Sequence, residues 1–143
     1  MIRNMQEADL PGVADIWLQT NLQAHAFLPA SYWRENFEMV RQALLEAEVY
    51  VYVEGQQLLG FVGLNGEYIE GIFVRLEAQS QGVGKKLLDF VKGKKAQLSL
   101  CVYQKNPRAV RFYQREQFQI QCENIDQDTG ETEYRMVYKA ITP

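Results

Sequence analysis

This chain has few cysteines and a single histidine: Cys101, Cys122 and His25. The cysteines show neither a CxxC motif nor metal-ligand spacing, so we expect reduced thiols in a cytoplasmic protein rather than a disulfide framework. No run approaches the ~18 consecutive apolar residues of a membrane span. Acidic residues stand where a signal peptide needs its apolar region, which argues against export and against a membrane partner.

The rest of the composition is typical of a globular protein. The 143 residues are 47% hydrophobic and 23% charged, which argues against intrinsic disorder and against a coiled coil. A chain of this length can bury a core without a metal or a disulfide. We therefore expect residues 1–143 to form one domain, with no metal.

Charge is distributed unevenly along the chain. Residues 75–115 contain ten Lys or Arg and two acids, whereas the remainder contains five Lys or Arg and sixteen acids. One basic segment in an acidic protein indicates an anionic ligand held at one place, although a solvated basic helix face gives the same pattern. Nucleic-acid binding is not expected, because it usually requires a basic domain overall.

The pattern of apolar residues predicts a mixed α/β domain. Strands are predicted near residues 2–5, 49–53, 58–64, 68–74, 98–103, 118–125 and 133–139, and helices after residue 9 and over 31–46, 83–95 and 107–115. In the strand 68–74, alternation places Tyr68, Glu70 and Ile72 on one face.

The segment 79–86, Gln-Ser-Gln-Gly-Val-Gly-Lys-Lys, joins a predicted strand to a predicted helix. Gly82 and Gly84 let the backbone approach a ligand closely. The free amides and the dipole of a helix start favour a phosphate or pyrophosphate. A P-loop is excluded because GxxxxGK[ST] is absent, and the dinucleotide fingerprint GxGxxG is incomplete because Leu87 stands where its third glycine belongs.

Two motifs together resemble those of the GNAT superfamily of N-acetyltransferases. Residues 79–84 match its (Arg/Gln)-x-x-Gly-x-(Gly/Ala) pattern, and residues 102–113 resemble its strand–Asn–x–x–Ala–x–x–Phe–Tyr helix. The order of predicted elements is similar to the family's across nearly the whole chain. The N-terminal third resembles a bacterial branch of small GNAT proteins, some of which act on protein lysines.

One position departs from the family pattern. The second motif usually continues with Gly-Phe, whereas this chain has Gln117-Phe118. If that position needs a positive φ, the missing glycine costs about 1 kcal/mol of stability. The departure leaves the chemistry untouched.

The resemblance implies a fold and an activity. The fold is a mixed, mostly antiparallel sheet with splayed central strands, flanked by helices. The activity is direct transfer of an acetyl group from acetyl-CoA to a primary amine of a small molecule or a protein lysine. We expect a monomer or a homodimer, between which the sequence does not distinguish. Two alternatives are a CoA-binding sensor or regulatory module without turnover, and a structural domain whose glycine loop is incidental.

The resemblance also implies which residues hold acetyl-CoA. Pantetheine would pair with the backbone near the end of one splayed strand, and Gly71 is a candidate for a bulge that starts the splay, or is simply a small packed residue. Asn106 would bond the cofactor, cap the helix that follows, or do both. The expected cofactor residues are Ile72, Phe73, Val74, Gln79, Ser80, Gln81, Gly82, Val83, Gly84, Lys85, Asn106, Ala109 and Phe112.

Tyr113 and Glu70 are the expected catalytic residues. Expulsion of a thiolate calls for a proton, which the Tyr113 phenol would donate, although packing beside Phe112 is the alternative role. Glu70 would deprotonate the amine, directly or through water, and His25 is a second candidate base. Aromatic side chains would sheath the acceptor, although Trp33 also suits a helix core. The expected acceptor residues are His25, Phe27, Tyr32, Trp33 and Tyr68.

Overall fold

The computed structural model describes residues 1–140, which form a seven-stranded sheet with helices on both faces. The strands are β1 (Ile2–Asn4), β2 (Glu48–Glu54), β3 (Gln57–Asn65), β4 (Tyr68–Val74), β5 (Gln97–Tyr103), β6 (Gln119–Ile125) and β7 (Thr132–Lys139). The helices are α1 (Leu10–Ala24), α2 (Ala30–Glu35), α3 (Phe37–Glu46), α4 (Val83–Lys92) and α5 (Pro107–Arg115). Within these 140 residues, no helix combines the length and hydropathy that crossing a bilayer requires.

The centre of the sheet is split. The strand order is β1-β2-β3-β4-β5-β7-β6, and all neighbours are antiparallel except β4 and β5. The parallel strands β4 and β5 share a single register pair within the described chain, Tyr68 with Ser99. Beyond that pair the two strands diverge, which leaves one backbone edge of β4 free of strand partners toward Val74. The predicted mostly antiparallel sheet with splayed central strands and flanking helices is confirmed.

A β-bulge in β4 lies next to the start of the split. Gly71 pairs with Gly63 and Ile69 pairs with Leu64, so Glu70 between them has no partner on β3. An extra residue shifts the alternation of the strand by one position. The predicted bulge therefore exists, with Glu70 as its extra residue and Gly71 beside it.

The bulge overturns the predicted faces of β4. Ile69 and Ile72 both pack into the core on the α4 side, so Tyr68, next to Ile69, lies on the opposite face. A Cβ built on Gly63 would lie 3.9 Å from the Cβ of Glu70, and Gly63 alternates with the α4-facing Val62 and Leu64. Tyr68 and Glu70 therefore share the α1 face, and the prediction that Ile72 shares it with them is wrong.

Helices cover the sheet on both sides because each has one apolar face. Leu87, Leu88 and Val91 of α4 are fully buried against β5 residues such as Leu98 and Leu100. On the other face, α1 and α3 bury a second cluster against β2 and β3. Two hydrophobic cores therefore lie on the two faces of the sheet, and the one on the α4 side spans the split.

One predicted helix is two helices in the structure. The expected helix over 31–46 is interrupted at Asn36, whose side-chain amide donates to the Tyr32 carbonyl at 2.7 Å. Asparagine competes in this way with the backbone for helical carbonyls, which favours a break. The helix expected over 83–95 ends at Lys92, next to Gly93.

Helix α5 ends in a Schellman motif. The Phe118 amide donates to the Tyr113 carbonyl at 2.9 Å and the Gln117 amide donates to the Gln114 carbonyl at 3.1 Å. Gln117 at the left-handed position has φ +75°, and the Phe118 and Tyr113 rings complete the motif with centroids 5.5 Å apart. The position that the family fills with glycine does require a positive φ.

Candidate active site

A cleft of about 790 Å³ opens at the split between β4 and β5. Its walls come from the end of β4, the start of α4, the start of α5 and the last residues of α1. Five basic residues line it: Lys85, Lys105, Arg108, Arg111 and Arg115. Half of the ten basic residues in the segment 75–115 therefore line this cleft.

The backbone at the start of α4 is shaped for an anion. Ser80 and Gly82 have φ values of +63° and +85°, and the first helical hydrogen bond runs from the Lys86 amide to the Gly82 carbonyl. The amides of the residues between, Val83, Gly84 and Lys85, have no acceptor within the helix. Nothing lies within 4 Å of a Cβ built on Gly82, so the loop is open toward the cleft.

Arg108 holds this loop in place. Its guanidinium donates to the Gln79 side-chain oxygen at 3.2 Å and to the Ser80 hydroxyl at 2.8 Å. Gln79 in turn donates to the Val74 carbonyl at 3.1 Å, which ties the loop to β4. Sequence reasoning missed Arg108, although its place beside Pro107 in the second motif and within the basic segment was a usable signal.

Most of the expected cofactor residues line the cleft, and three need comment. The Phe73 ring stacks on Phe61 on the far side of the sheet, so its side chain lies away from the cleft. Gln81 donates to the Glu77 carbonyl and does not line the cleft. The Lys85 ammonium pairs with Asp89 at 3.3 Å and Glu116 at 3.0 Å, so its amide is the group left for an anion.

The expected cofactor residues that do line the cleft are Ile72, Val74, Gln79, Ser80, Gly82, Val83, Gly84, Lys85, Asn106, Ala109 and Phe112. Both expected roles of Asn106 are compatible in this arrangement. Its side-chain oxygen accepts from the Ala109 amide at 3.3 Å, which caps α5, while the residue still faces the cleft.

Tyr113 lies where the cleft meets the core. Its ring packs edge-on against Phe112 and Phe118, and only 8% of the residue is exposed. Burial raises the pKa of its phenol. The phenol is therefore protonated at neutral pH, and Tyr113 is among the residues that line the cleft.

Between the end of α1, helix α2 and the end of β5, aromatic side chains surround His25. The imidazole stacks on Trp33 with centroids 5.4 Å apart, and the edges of Phe27 and Tyr103 complete the enclosure. Tyr32 packs against Trp33 at 4.9 Å. Four of the five expected acceptor residues thus form one cluster, which Tyr103 joins. Trp33 is also buried in the core, as its alternative role required.

His25 is a poor candidate for the base. Burial lowers its pKa to about 4, and its Nε2 faces the Asn106 amide at 3.2 Å. Both ring nitrogens already face protein partners, since Nδ1 lies 2.9 Å from the Asn21 side-chain oxygen and Nε2 lies beside Asn106. The imidazole is therefore less accessible to an amine than Glu70, which is exposed.

Tyr68, the fifth expected acceptor residue, lies apart from that cluster on the same face of the sheet as Glu70. Burial raises the pKa of the Tyr68 phenol, and the Cys101 thiol and the charges of Glu70 and Glu133 add to the rise. Burial and the charge of Asp126 raise the pKa of Glu133. Glu133 was missed by sequence reasoning because only the pairing of β7 with β5 brings it beside Tyr103.

A family model described as an acetyltransferase (GNAT) domain matches residues 46–120. The chain belongs to the GNAT family. The predicted resemblance is confirmed, and with it the activity of an acetyl-CoA-dependent N-acetyltransferase.

Individual GNAT proteins resemble the chain over most of its length. The peptidyl-lysine N-acetyltransferase YiaC of Escherichia coli strain K12 is 39% identical over 122 residues, which are 84% of each protein. The solution structure of apo YjaB from Escherichia coli superposes with a TM-score of 0.87 at 26% identity, covering 99% of this chain and 98% of YjaB.

A more distant GNAT structure shows the fold with a ligand. The PaiA N-acetyltransferase of Thermoplasma acidophilum, solved in complex with coenzyme A, superposes with a TM-score of 0.78 at 16% identity and covers 97% of this chain and 98% of PaiA. The two proteins therefore share a fold.

Proposed function

We propose that this GNAT enzyme acetylates the ε-amine of lysine side chains in proteins. The observation that carries the proposal is the surface opposite the cofactor cleft, where Tyr68 lies among Glu70, Glu133 and the Cys101 thiol. Carboxylates attract an ammonium and aromatic rings sheath an aliphatic stem. The similarity to YiaC, a peptidyl-lysine N-acetyltransferase, supports the same acceptor class.

The cleft suits acetyl-CoA, which supplies the activated acetyl group and a thiol leaving group. The free edge of β4 from Ile72 to Val74 would pair with the pantetheine amides as a short strand. The amides of Val83, Gly84 and Lys85 would hold the pyrophosphate at the start of α4. Arg108 would keep the loop in the shape that this requires. Residues 1–143 would act as one domain.

Tyr113 is the proposed proton donor to the departing sulfur. Its phenol is protonated at neutral pH, because burial raises its pKa. The same apolar surroundings raise the proton affinity of a thiolate formed beside it. Proton donation from a fixed phenol therefore removes the charge of the leaving group where water is scarce.

Glu70 is the proposed base for the acceptor amine. A lysine ammonium has a pKa of ~10.4 and must lose a proton before its nitrogen can attack. As the extra residue of a bulge, Glu70 has no partner on β3 and lies exposed on the α1 face. The carboxylate would take that proton directly or through water.

A thiol-release assay with acetyl-CoA and a panel of amines tests this function. The panel contains peptides with an internal lysine and a blocked N-terminus, peptides with a free N-terminus and no lysine, and a polyamine. We expect the highest kcat/KM with the internal lysine, and mass spectrometry should place the acetyl group on its ε-nitrogen. Turnover of the polyamine or of the peptide with a free N-terminus, without turnover of the internal-lysine peptide, would overturn the lysine assignment.

A further inference from the structure

A directed chain of hydrogen bonds runs from α1 to α5 through His25. The Asn21 side chain donates to the Trp17 carbonyl at 2.9 Å, and its oxygen lies 2.9 Å from His25 Nδ1. His25 Nε2 lies 3.2 Å from the Asn106 side-chain nitrogen. The Asn106 oxygen accepts from the Ala109 amide. These hydrogen bonds thus join helices α1 and α5, which lie more than eighty residues apart in the sequence.

The two ends of this chain fix its polarity. The Trp17 carbonyl can only accept and the Ala109 amide can only donate, because both are backbone groups. The Asn21 oxygen must therefore face His25 Nδ1, and the Asn106 nitrogen must face Nε2. His25 satisfies both partners only as the neutral tautomer with its hydrogen on Nδ1.

This polarity decides what Asn106 offers to the cleft. One amide hydrogen points to His25, and one lone pair of the oxygen caps α5. One hydrogen and one lone pair remain for a ligand. A rotated amide would set its nitrogen against the Ala109 amide and its oxygen against the lone pair of His25 Nε2, so Ala109 and His25 together stabilise a single orientation of the Asn106 side chain.

We propose that His25 is a positioning residue of the acetyl-CoA site, which holds the Asn106 amide in its binding orientation and connects it to the aromatic cluster on the acceptor side. The inference rests on the proposed cofactor role of Asn106. His25 touches neither reacting group in this assignment. Its stacking on Trp33 and its edge contacts with Phe27 and Tyr103 keep the imidazole fixed between the two sides.

Two substitutions separate the hydrogen bond from the packing. His25→Phe keeps a ring among the aromatic side chains but cannot accept from Asn106, whereas His25→Gln retains a side-chain oxygen that can accept. A single hydrogen bond changes binding by a few-fold to tenfold. We expect His25→Phe to weaken acetyl-CoA binding about five- to tenfold by calorimetry, and His25→Gln to restore most of the loss. Trp17→Phe is the control. It alters the packing on Trp33 but leaves the hydrogen bond between His25 and Asn106 in place, so this variant should bind acetyl-CoA like the wild type.

Two further measurements make the test specific. In an Asn106→Ala background, His25→Phe should have no additional effect on acetyl-CoA affinity, because its partner is gone. Nitrogen NMR of the wild-type protein should show the Nδ1–H tautomer, which needs no variant to fold. Additive losses in the double variant, wild-type affinity in His25→Phe, or an Nε2–H tautomer would each overturn the proposal. None of these readouts requires acetyl transfer, so they stand apart from the lysine assignment.

Discussion

The two sides of the split sheet are built in different ways. The proposed cofactor side rests largely on backbone, namely the free edge of β4 and the amides at the start of α4, together with side chains of α5 such as Arg108. The proposed acceptor side is made of side chains, which come from the α1–α2 connection, β4, β5 and the β6–β7 hairpin. The backbone features are local in sequence, whereas the side chains meet only through tertiary structure.

The residue between the two sides should give the largest effect. Tyr113→Phe removes the proposed proton donor, and general acid catalysis contributes about 10²–10⁴-fold, so we expect kcat to fall by about that factor with little change in acetyl-CoA affinity. Steady-state kinetics and calorimetry measure the two quantities. Tyr138→Phe is the matched control, because Tyr138 also packs on Phe118. A Tyr113→Phe enzyme with normal kcat would remove this residue from the chemistry.

The folded protein should lose stability in acid because of His25, which lies on the proposed acceptor side. The pKa of His25 is about 4 in the folded state against 6.5 for the free side chain, so the unfolded chain binds the extra proton between these values. Stability is full above pH 6.5 and falls by roughly 3 kcal/mol as the pH drops toward 4. Denaturant unfolding across this range measures it, with His25→Phe as the reference. An identical pH dependence in both proteins would contradict the expectation.

Replacing the glycine that precedes α4 should weaken acetyl-CoA binding. Gly82→Ala places a Cβ at φ +85°, which costs about 1 kcal/mol of stability and disturbs the loop. We expect acetyl-CoA to bind about tenfold more weakly. Gly55→Ala is the control, because Gly55 also has a positive φ and open space but lies in the β2–β3 turn. If both variants bind acetyl-CoA equally well, the α4 start is not the anion site.

The smallest effect is expected at the end of α5, outside both proposed binding sides. Gln117→Gly should stabilise the protein by about 1 kcal/mol, since Gln117 has φ +75° and glycine adopts that conformation without strain. The melting temperature should rise by roughly 3 °C, with kcat and acetyl-CoA affinity unchanged. A lower melting temperature would show that the Gln117 side chain contributes more than the strain costs.

The predictability of the site follows the same division. The loop over residues 79–84 was predictable because its glycines and the helix start that follows are visible in the local sequence, as Gly82 shows. Arg108 was missed because its bonds to Gln79 and Ser80 span nearly thirty residues. The predicted common face of Tyr68 and Ile72 failed because a bulge shifts the period of a strand without an unambiguous mark in the sequence.

By itself, the sequence determined the order of the elements, the family and the place of the glycine-bearing loop before α4, because apolar periodicity, glycines and helix starts act within a few residues of the chain. The tertiary structure decided which side chains meet. It placed Glu133 beside Tyr103, made His25 a neutral partner of Asn106 and turned Glu70 toward the α1 face. These outcomes depend on strand pairing and burial between distant segments, which local patterns do not encode.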